Sequence, residues 1–318
     1  MTLDSLVVHY YYGNLDGSLI PMRTPEFNGI FPAMITPFSK DERFDVESTK
    51  KIVDYLIGNG VQGIQCCGST GEAASLSREE RRQVIDLIVR HVNKRVPVIA
   101  GTGTTGTRET IELTKDAEKA GADAALVITP FYEIPTDDGI IRHYEAIADA
   151  TDIPLIAYNV PQATMVNLTP NLVAHLVERV DKIVAIKESS GKTWQIGELI
   201  RLVGDQIAVL TGDDGGLFAD FMLGCPGAIV AIGNIAPKLV VEIYSFIKKD
   251  EIEKAKQVHY QLLPVATALD GEANWAAKVK EMVRLQGYPA GYSRQPYSSL
   301  LPDETKIMKQ ALRSAGLL

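Results

Sequence analysis

The sequence predicts an α/β fold, a (β/α)8 barrel with a C-terminal helical extension, and three observations predict it. From Gly29 onward a short, β-rich apolar run is followed by a polar or glycine-rich break and then by a longer stretch of helical periodicity. The unit recurs until eight candidate strands have passed. No segment rich in Gly, Ser or Pro interrupts the series as a linker would. Strand-helix alternation requires a parallel sheet with right-handed crossovers, and eight such units close on themselves. An open doubly wound sheet is the rival arrangement.

The candidate strands are Ile30–Ile35, Gly63–Cys67, Val96–Ala100, Ala124–Ile128, Pro154–Tyr158, Ile183–Lys187, Ile207–Leu210 and Ala228–Ile232. Amphipathic stretches lie between them at Val46–Ile57, Arg78–His91, Arg108–Ala120, Gly139–Ala150 and Pro170–Glu178. Ser77 before Arg78-Glu79-Glu80, and Thr107 before Arg108-Glu109, place a hydroxyl and then acids at helix starts. Past the eighth strand, Pro237–Lys248, Glu251–Ala268, Asn274–Gln286 and Asp303–Ala315 are all helical in pattern. The expected organisation is an arm over residues 1–28, a barrel over 29–248 and a helical extension over 249–318. Within the arm, Met22 is an alternative start.

Bulk properties narrow the function. The 318 residues are 46% hydrophobic and 23% charged with a net charge of -8, an acidic balance that offers no basic face to nucleic acid or to an anionic membrane. No run approaches membrane-spanning length, and no basic start leads into a long apolar stretch. Three cysteines, two of them the adjacent Cys66 and Cys67, build neither a disulfide framework nor a zinc site, so a cytoplasmic location is expected. The five histidines are scattered, without the close pairs that a metal site on one helix needs.

Chemistry is expected where strands end and βα loops begin. Lys187 ends the run Ile183-Val184-Ala185-Ile186 and is followed by Glu188-Ser189-Ser190-Gly191. Desolvation there disfavours the ammonium form and leaves a neutral amine able to condense with a carbonyl, although a strand-end lysine can also snorkel to water. Gly68-Ser69-Thr70-Gly71-Glu72 follows the second strand and suits a carboxylate through its hydroxyls and backbone N–H groups. Tyr158-Asn159-Val160-Pro161 closes the fifth and supplies a phenol for proton transfer. Each feature alone has a structural explanation, as a turn or a packed aromatic. Three of them at one mouth favour catalysis.

Other motifs are weaker. Gly101-Thr102-Gly103-Thr104-Thr105-Gly106 matches the dinucleotide fingerprint, but Asp123 precedes the next strand where a ribose-binding acid should end it. Cys67-Gly68-Ser69-Thr70-Gly71 lacks the first glycine of a nucleophile elbow. Gly212-Asp213-Asp214-Gly215, with no histidine cluster nearby, reads as a loop and helix cap rather than a metal site.

Gly68-Ser69-Thr70-Gly71-Glu72, Thr129-Pro130-Phe131-Tyr132, Tyr158-Asn159-Val160-Pro161 and Ile186-Lys187-Glu188, in this order and spacing, resemble the dihydrodipicolinate synthase / N-acetylneuraminate lyase family. The resemblance covers roughly Asn28 to the C-terminus. It implies a barrel with a C-terminal extension, no cofactor, and a lysine that forms an imine with pyruvate or another 2-oxo acid before aldol addition or cleavage. Lys187 is then the nucleophile, Tyr158 the proton carrier with Thr70 in the relay, and Tyr132 the residue that reaches into a neighbouring subunit of a homotetramer, a dimer of dimers. Ser69 and Thr70 would hold the pyruvate carboxylate, with Gly212 and Ile229 lining the pocket. The partners implied are pyruvate and an aldehyde.

Two departures accompany the matches. In the lysine-pathway synthases an arginine two residues after the Asn-Val-Pro element holds a carboxylate of the second substrate, and here that position is Ala163. Losing a bidentate guanidinium removes a strong contact. Arg142 is a candidate substitute from a different loop, and a 2-keto-3-deoxy sugar acid is the alternative substrate. Ala73, Arg78, Arg81, Thr105 and Phe131 depart from the pattern of lysine-sensitive members, though Glu109 remains, so little or no inhibition by lysine is expected. The readings from other classes are a non-catalytic barrel that binds small acids and a metal-dependent aldolase.

Overall fold

The computed structural model describes residues 27–271 and 273–318. The expected arm, Met22 included, lies outside the described residues except for Phe27 and Asn28. Strand and helix alternate as β1 (Gly29–Pro32), α1 (Val46–Gly58), β2 (Ile64–Cys66), α2 (Arg78–Val92), β3 (Val98–Gly101), α3 (Thr107–Ala120), β4 (Ala124–Ile128), α4 (Asp137–Ala150), β5 (Leu155–Asn159), α5 (Pro161–Thr164), α6 (Pro170–Arg179), β6 (Ile183–Glu188), α7 (Thr193–Val203), β7 (Ala208–Thr211), α8 (Leu217–Met222) and β8 (Gly227–Val230). Four helices follow: α9 (Pro237–Lys248), α10 (Ile252–Leu269), α11 (Trp275–Leu285) and α12 (Pro302–Ser314).

All eight strands are parallel, in the order β1-β8-β7-β6-β5-β4-β3-β2. The ring closes between β1 and β2 through a parallel bridge from Ala33 to Gln65, with Met34 N donating to Gln65 O at 2.8 Å. This is the (β/α)8 barrel with C-terminal helices that the alternation predicts. Its interior is filled by side chains at every second strand position, among them Phe31, Ala33, Ile99, Leu126, Ile156, Tyr158, Ala185, Leu210 and Ile229. A second, larger apolar layer lies between strands and helices. Gly63 is required by the first: a Cβ there would sit 2.1 Å from Cε1 of Phe31.

Element ends differ from expectation for local reasons. Pro97 has no N–H to give to a neighbour, and β3 starts at Val98 rather than Val96. The eighth strand stops at Val230 rather than Ile232, because Ile232 N donates to the Asp214 carboxylate at 2.6 Å and the chain turns. Ser77 caps α2 in a capping box with Glu80. Thr107 does not cap α3: Gly106 holds that position without a side-chain bond, and Thr107 Oγ1 pairs with His143 Nδ1 at 2.9 Å. Gly212 to Gly215 supplies no side-chain cap to α8, whose N-cap is Gly216. The fingerprint glycines have a packing role, since a Cβ on Gly101 would meet Cys67 O at 2.0 Å and one on Gly103 would meet Ile128 N at 2.4 Å.

Candidate active site

β5 and β6 bring the two central groups together. Their register pairs Tyr158 with Lys187, and both side chains continue the inward rows of Ile156 and Ala185. Lys187 Nζ lies 4.2 Å from the centre of the Tyr158 ring, and Lys187 is only 6% exposed. The strand end is fixed from the opposite face. The buried Glu188 carboxylate accepts from Asn159 Nδ2 at 2.7 Å, Gln195 Nε2 at 2.9 Å and Ser190 N at 2.6 Å. With Glu188 pinned outward, alternation directs Lys187 inward. Gly212 makes room beside it, because a Cβ there would stand 1.9 Å from Ser189 Oγ and 2.8 Å from Lys187 Cε.

These groups open into a cleft of about 670 Å³. Ser69, Thr70, Tyr158, Ala163, Lys187, Gly212 and Ile229 all line it. Thr70 is buried and Ser69 exposed at the rim. Their loop is held at both sides: Thr36 Oγ1 donates to Gly71 O at 2.8 Å, and the Glu72 carboxylate forms a buried ion pair with Lys280 while accepting from Arg294 N at 2.9 Å. Lys280 and Arg294 come from α11 and the segment after it, so the C-terminal helices brace a loop of the barrel mouth.

Tyr132 stands apart. It is 91% exposed at the tip of the loop after β4, in a left-handed conformation with φ of 75°, and does not line the cleft. Arg142 does not fill the space left by Ala163. It belongs to α4 rather than to a loop, pairs with Asp138 at 2.8 Å on the surface and is absent from the cleft wall.

Sequence reasoning missed several lining groups. Gln162 reaches across the mouth, its Nε2 donating to Ser189 O at 2.6 Å. Ser189 Oγ is buried in the wall without a protein partner among the described residues. Its place two residues after Lys187 on an inward-facing row was the available signal. Asp213, Asp214 and Asp270 make the outer wall acidic. Asp214 is pushed up to about 6 by desolvation, against the Ile232 N–H it accepts and the nearby charge of Lys187. Among the described lining residues Lys187 is the only lysine or arginine. No group of three or more His, Cys, Asp or Glu among the described residues could hold a metal ion, and no described helix is long and apolar enough to cross a membrane.

The arrangement is a buried amine, a phenol against it, and a loop that presents the hydroxyls of Ser69 and Thr70. It can hold a small 2-oxo acid and move protons to and from it.

Residues 26–315 match the family model described as "Dihydrodipicolinate synthetase family". A protein named 4-hydroxy-tetrahydrodipicolinate synthase from Thermodesulfovibrio yellowstonii is 45% identical over 292 residues, covering 92% of this chain and 99% of that protein. One of the same name from Pelobacter propionicus is 41% identical, covering 92% of this chain and 100% of the other. The crystal structure of YagE from E. coli K12, described as a prophage protein of the dihydrodipicolinic acid synthase family in complex with pyruvate, superposes with a TM-score of 0.89 at 34% identity. It covers 92% of this chain and 100% of that one. With residues 26–315 matched by the family model and 92% of the chain covered by a relative at 45% identity, the chain belongs to the dihydrodipicolinate synthetase family and is an enzyme of that lyase/synthase class.

Proposed function

We propose that the chain is a class I lyase/synthase in which Lys187 forms a Schiff base with pyruvate or a related 2-oxo acid. One observation carries the reading: Lys187 and Tyr158 are register partners whose side chains meet in a cleft that Ser69 and Thr70 also line. The neutral amine adds to the 2-oxo carbon, water leaves, and loss of a methyl proton turns the imine into an enamine that attacks an aldehyde. Tyr158 carries the protons, with Thr70 passing them on. Ser69, Thr70 and their backbone N–H groups hold the carboxylate, and Gly212 and Ile229 shape the floor. That YagE is described in complex with pyruvate supports the choice of 2-oxo acid.

The names of the relatives support 4-hydroxy-tetrahydrodipicolinate synthesis, with aspartate semialdehyde as acceptor. A second reading, cleavage of a 2-keto-3-deoxy sugar acid, rests on the composition of the cleft wall. Gln162, Ala163 and three aspartates line it, and no guanidinium does among the described residues. An acceptor carboxylate finds no charge-assisted partner in such a wall, whereas sugar hydroxyls find acceptors.

Residues 29–248 form the catalytic barrel in this reading, and residues 249–318 an extension that completes its mouth. Tyr132 acts across a subunit boundary, in a homotetramer built as a dimer of dimers; its nearly complete exposure on one chain is what supports this. A cytoplasmic location belongs to the same reading.

Borohydride reduction in the presence of pyruvate, followed by peptide mass mapping, tests the mechanism: a stable adduct is expected on Lys187, and its absence refutes the reading. Pyruvate release from 2-keto-3-deoxygluconate and N-acetylneuraminate, assayed beside condensation with aspartate semialdehyde, decides the acceptor.

A further inference from the structure

Thr70 receives a hydrogen bond from a residue that no motif marks. Trp275 Nε1 donates to Thr70 Oγ1 at 3.2 Å, across 205 positions of sequence. An indole nitrogen only donates, while a hydroxyl donates one proton and accepts on two lone pairs. The single proton of Thr70 therefore cannot be directed at Trp275. It is left for an acceptor elsewhere in the cleft, which both residues line.

We propose that Trp275 is a positioning residue of the proton relay: by occupying one lone pair of Thr70 it sets the direction in which that hydroxyl donates. The inference rests on the reading of Lys187 as the imine former and Thr70 as a relay member. When Thr70 gives up its proton it takes another on its remaining lone pair, so the hydroxyl is neutral before and after, and Trp275 keeps its N–H throughout.

The placement of the indole is built rather than incidental. Trp275 is the first residue of α11, directly after Asn274, whose backbone is left-handed with φ of 59°. The Asn274 side chain is clasped to Ser298, donating to Ser298 O at 3.0 Å and accepting from Ser298 N at 3.0 Å. Five residues along the same helix, Lys280 forms its buried ion pair with Glu72, two residues after Thr70. One helix thus grips one loop at two points, through a charge that anchors it and an N–H that orients a hydroxyl.

Exchange of the pyruvate methyl protons for deuterium, followed by proton NMR in D2O on the full chain, reads the relay without any aldehyde. Trp275→Phe keeps an aromatic ring, smaller than the indole, and removes the N–H. It should lower the maximal exchange rate about tenfold, as the loss of one orienting hydrogen bond does. The pyruvate concentration for half-maximal rate and the yield of trapped Lys187 adduct should stay within about twofold. In a Thr70→Val background the same change should have no further effect, and Trp275→His, which restores a ring N–H, should recover part of the rate.

An exchange rate within twofold of the parent overturns the proposal. So does a loss that persists in the Thr70→Val background. Half-saturation and thermal midpoint shifting together with the rate would also overturn it, since that is the mark of a loosened loop. If the parent forms no adduct at Lys187, the underlying Schiff-base reading has failed instead. An adduct that forms while exchange ignores Trp275 sinks only the role of Trp275.

Discussion

Two buried lysines sit within this barrel mouth, and their difference teaches more than either alone. Lys187 is 6% exposed and Lys280 is 3% exposed, and each Nζ lies over an aromatic ring, at 4.2 Å from Tyr158 and 4.5 Å from Phe38. Lys280 is saturated: it pairs with the Glu72 carboxylate and donates to Tyr292 O at 2.7 Å. Burial still lowers it to about 8, against the pull of Glu72. Lys187 faces an open cleft and, although Asp214 lies near it, forms no ion pair among the described residues. Burial is common to both. What distinguishes a nucleophile from a strut is access to a ligand and the absence of a saturating ion pair.

Substitution should separate the two roles sharply. Lys187→Met removes the nucleophile, and methyl-proton exchange and trapped adduct should fall roughly a thousandfold or more while the fold is kept. Exchange surviving that change would show that another amine does the work. Lys280→Met is expected to do the reverse. It leaves the Glu72 carboxylate buried without its cation, which costs about 3–5 kcal/mol in chemical denaturation. Folded molecules at low temperature should still form the adduct at Lys187. Adding Glu72→Gln should recover most of the lost stability, and failure to recover it would mean that Lys280 matters for something other than the pair.

The sequence marks one of these lysines and not the other for a physical reason. Lys187 ends an apolar run, and alternation along a strand gives both its burial and the face it occupies. Lys280 stands in α11 four residues before Arg284, in a pattern where a cation normally meets water. Its burial is explained by tertiary partners, above all the carboxylate of Glu72, 208 residues away. Ser69, Thr70, Tyr158 and Lys187 were legible from their places at or just after strand ends, whereas Gly212 and Ile229 were named only through the family resemblance. The contribution of α10 and α11 was not legible, because Thr267, Asp270 and Trp275 reach the cleft through tertiary packing that no local pattern encodes. Helices α7 and α8 carry weak local signals. Gly197 interrupts the propensity of α7, and α8 is six residues long after a Gly-Asp-Asp-Gly-Gly run that reads as a loop.

The smallest expected effect lies at the second clamp of the extension. Arg294 donates to Glu80 Oε2 at 3.0 Å and to the carbonyls of Ser75 and Glu42, joining the segment after α11 to the start of α2. Its guanidinium holds the Glu80 carboxyl well down, at about 2. The unfolded chain binds a proton to Glu80 near the ordinary carboxylate value, so between about 4.5 and 2 it carries more protons there than the folded one. The contribution of this carboxylate is therefore complete above about pH 4.5 and is lost as pH falls towards 2. Because Glu80 is partly exposed, solvent screens much of it, and the effect is modest. Denaturation midpoints measured from pH 6 down to pH 3 should fall less steeply for Glu80→Gln than for the parent. Parallel slopes would mean that Arg294 is held by the carbonyls of Glu42 and Ser75 alone, leaving Glu72 and Lys280 as the ionic contact that ties the extension to the catalytic loop.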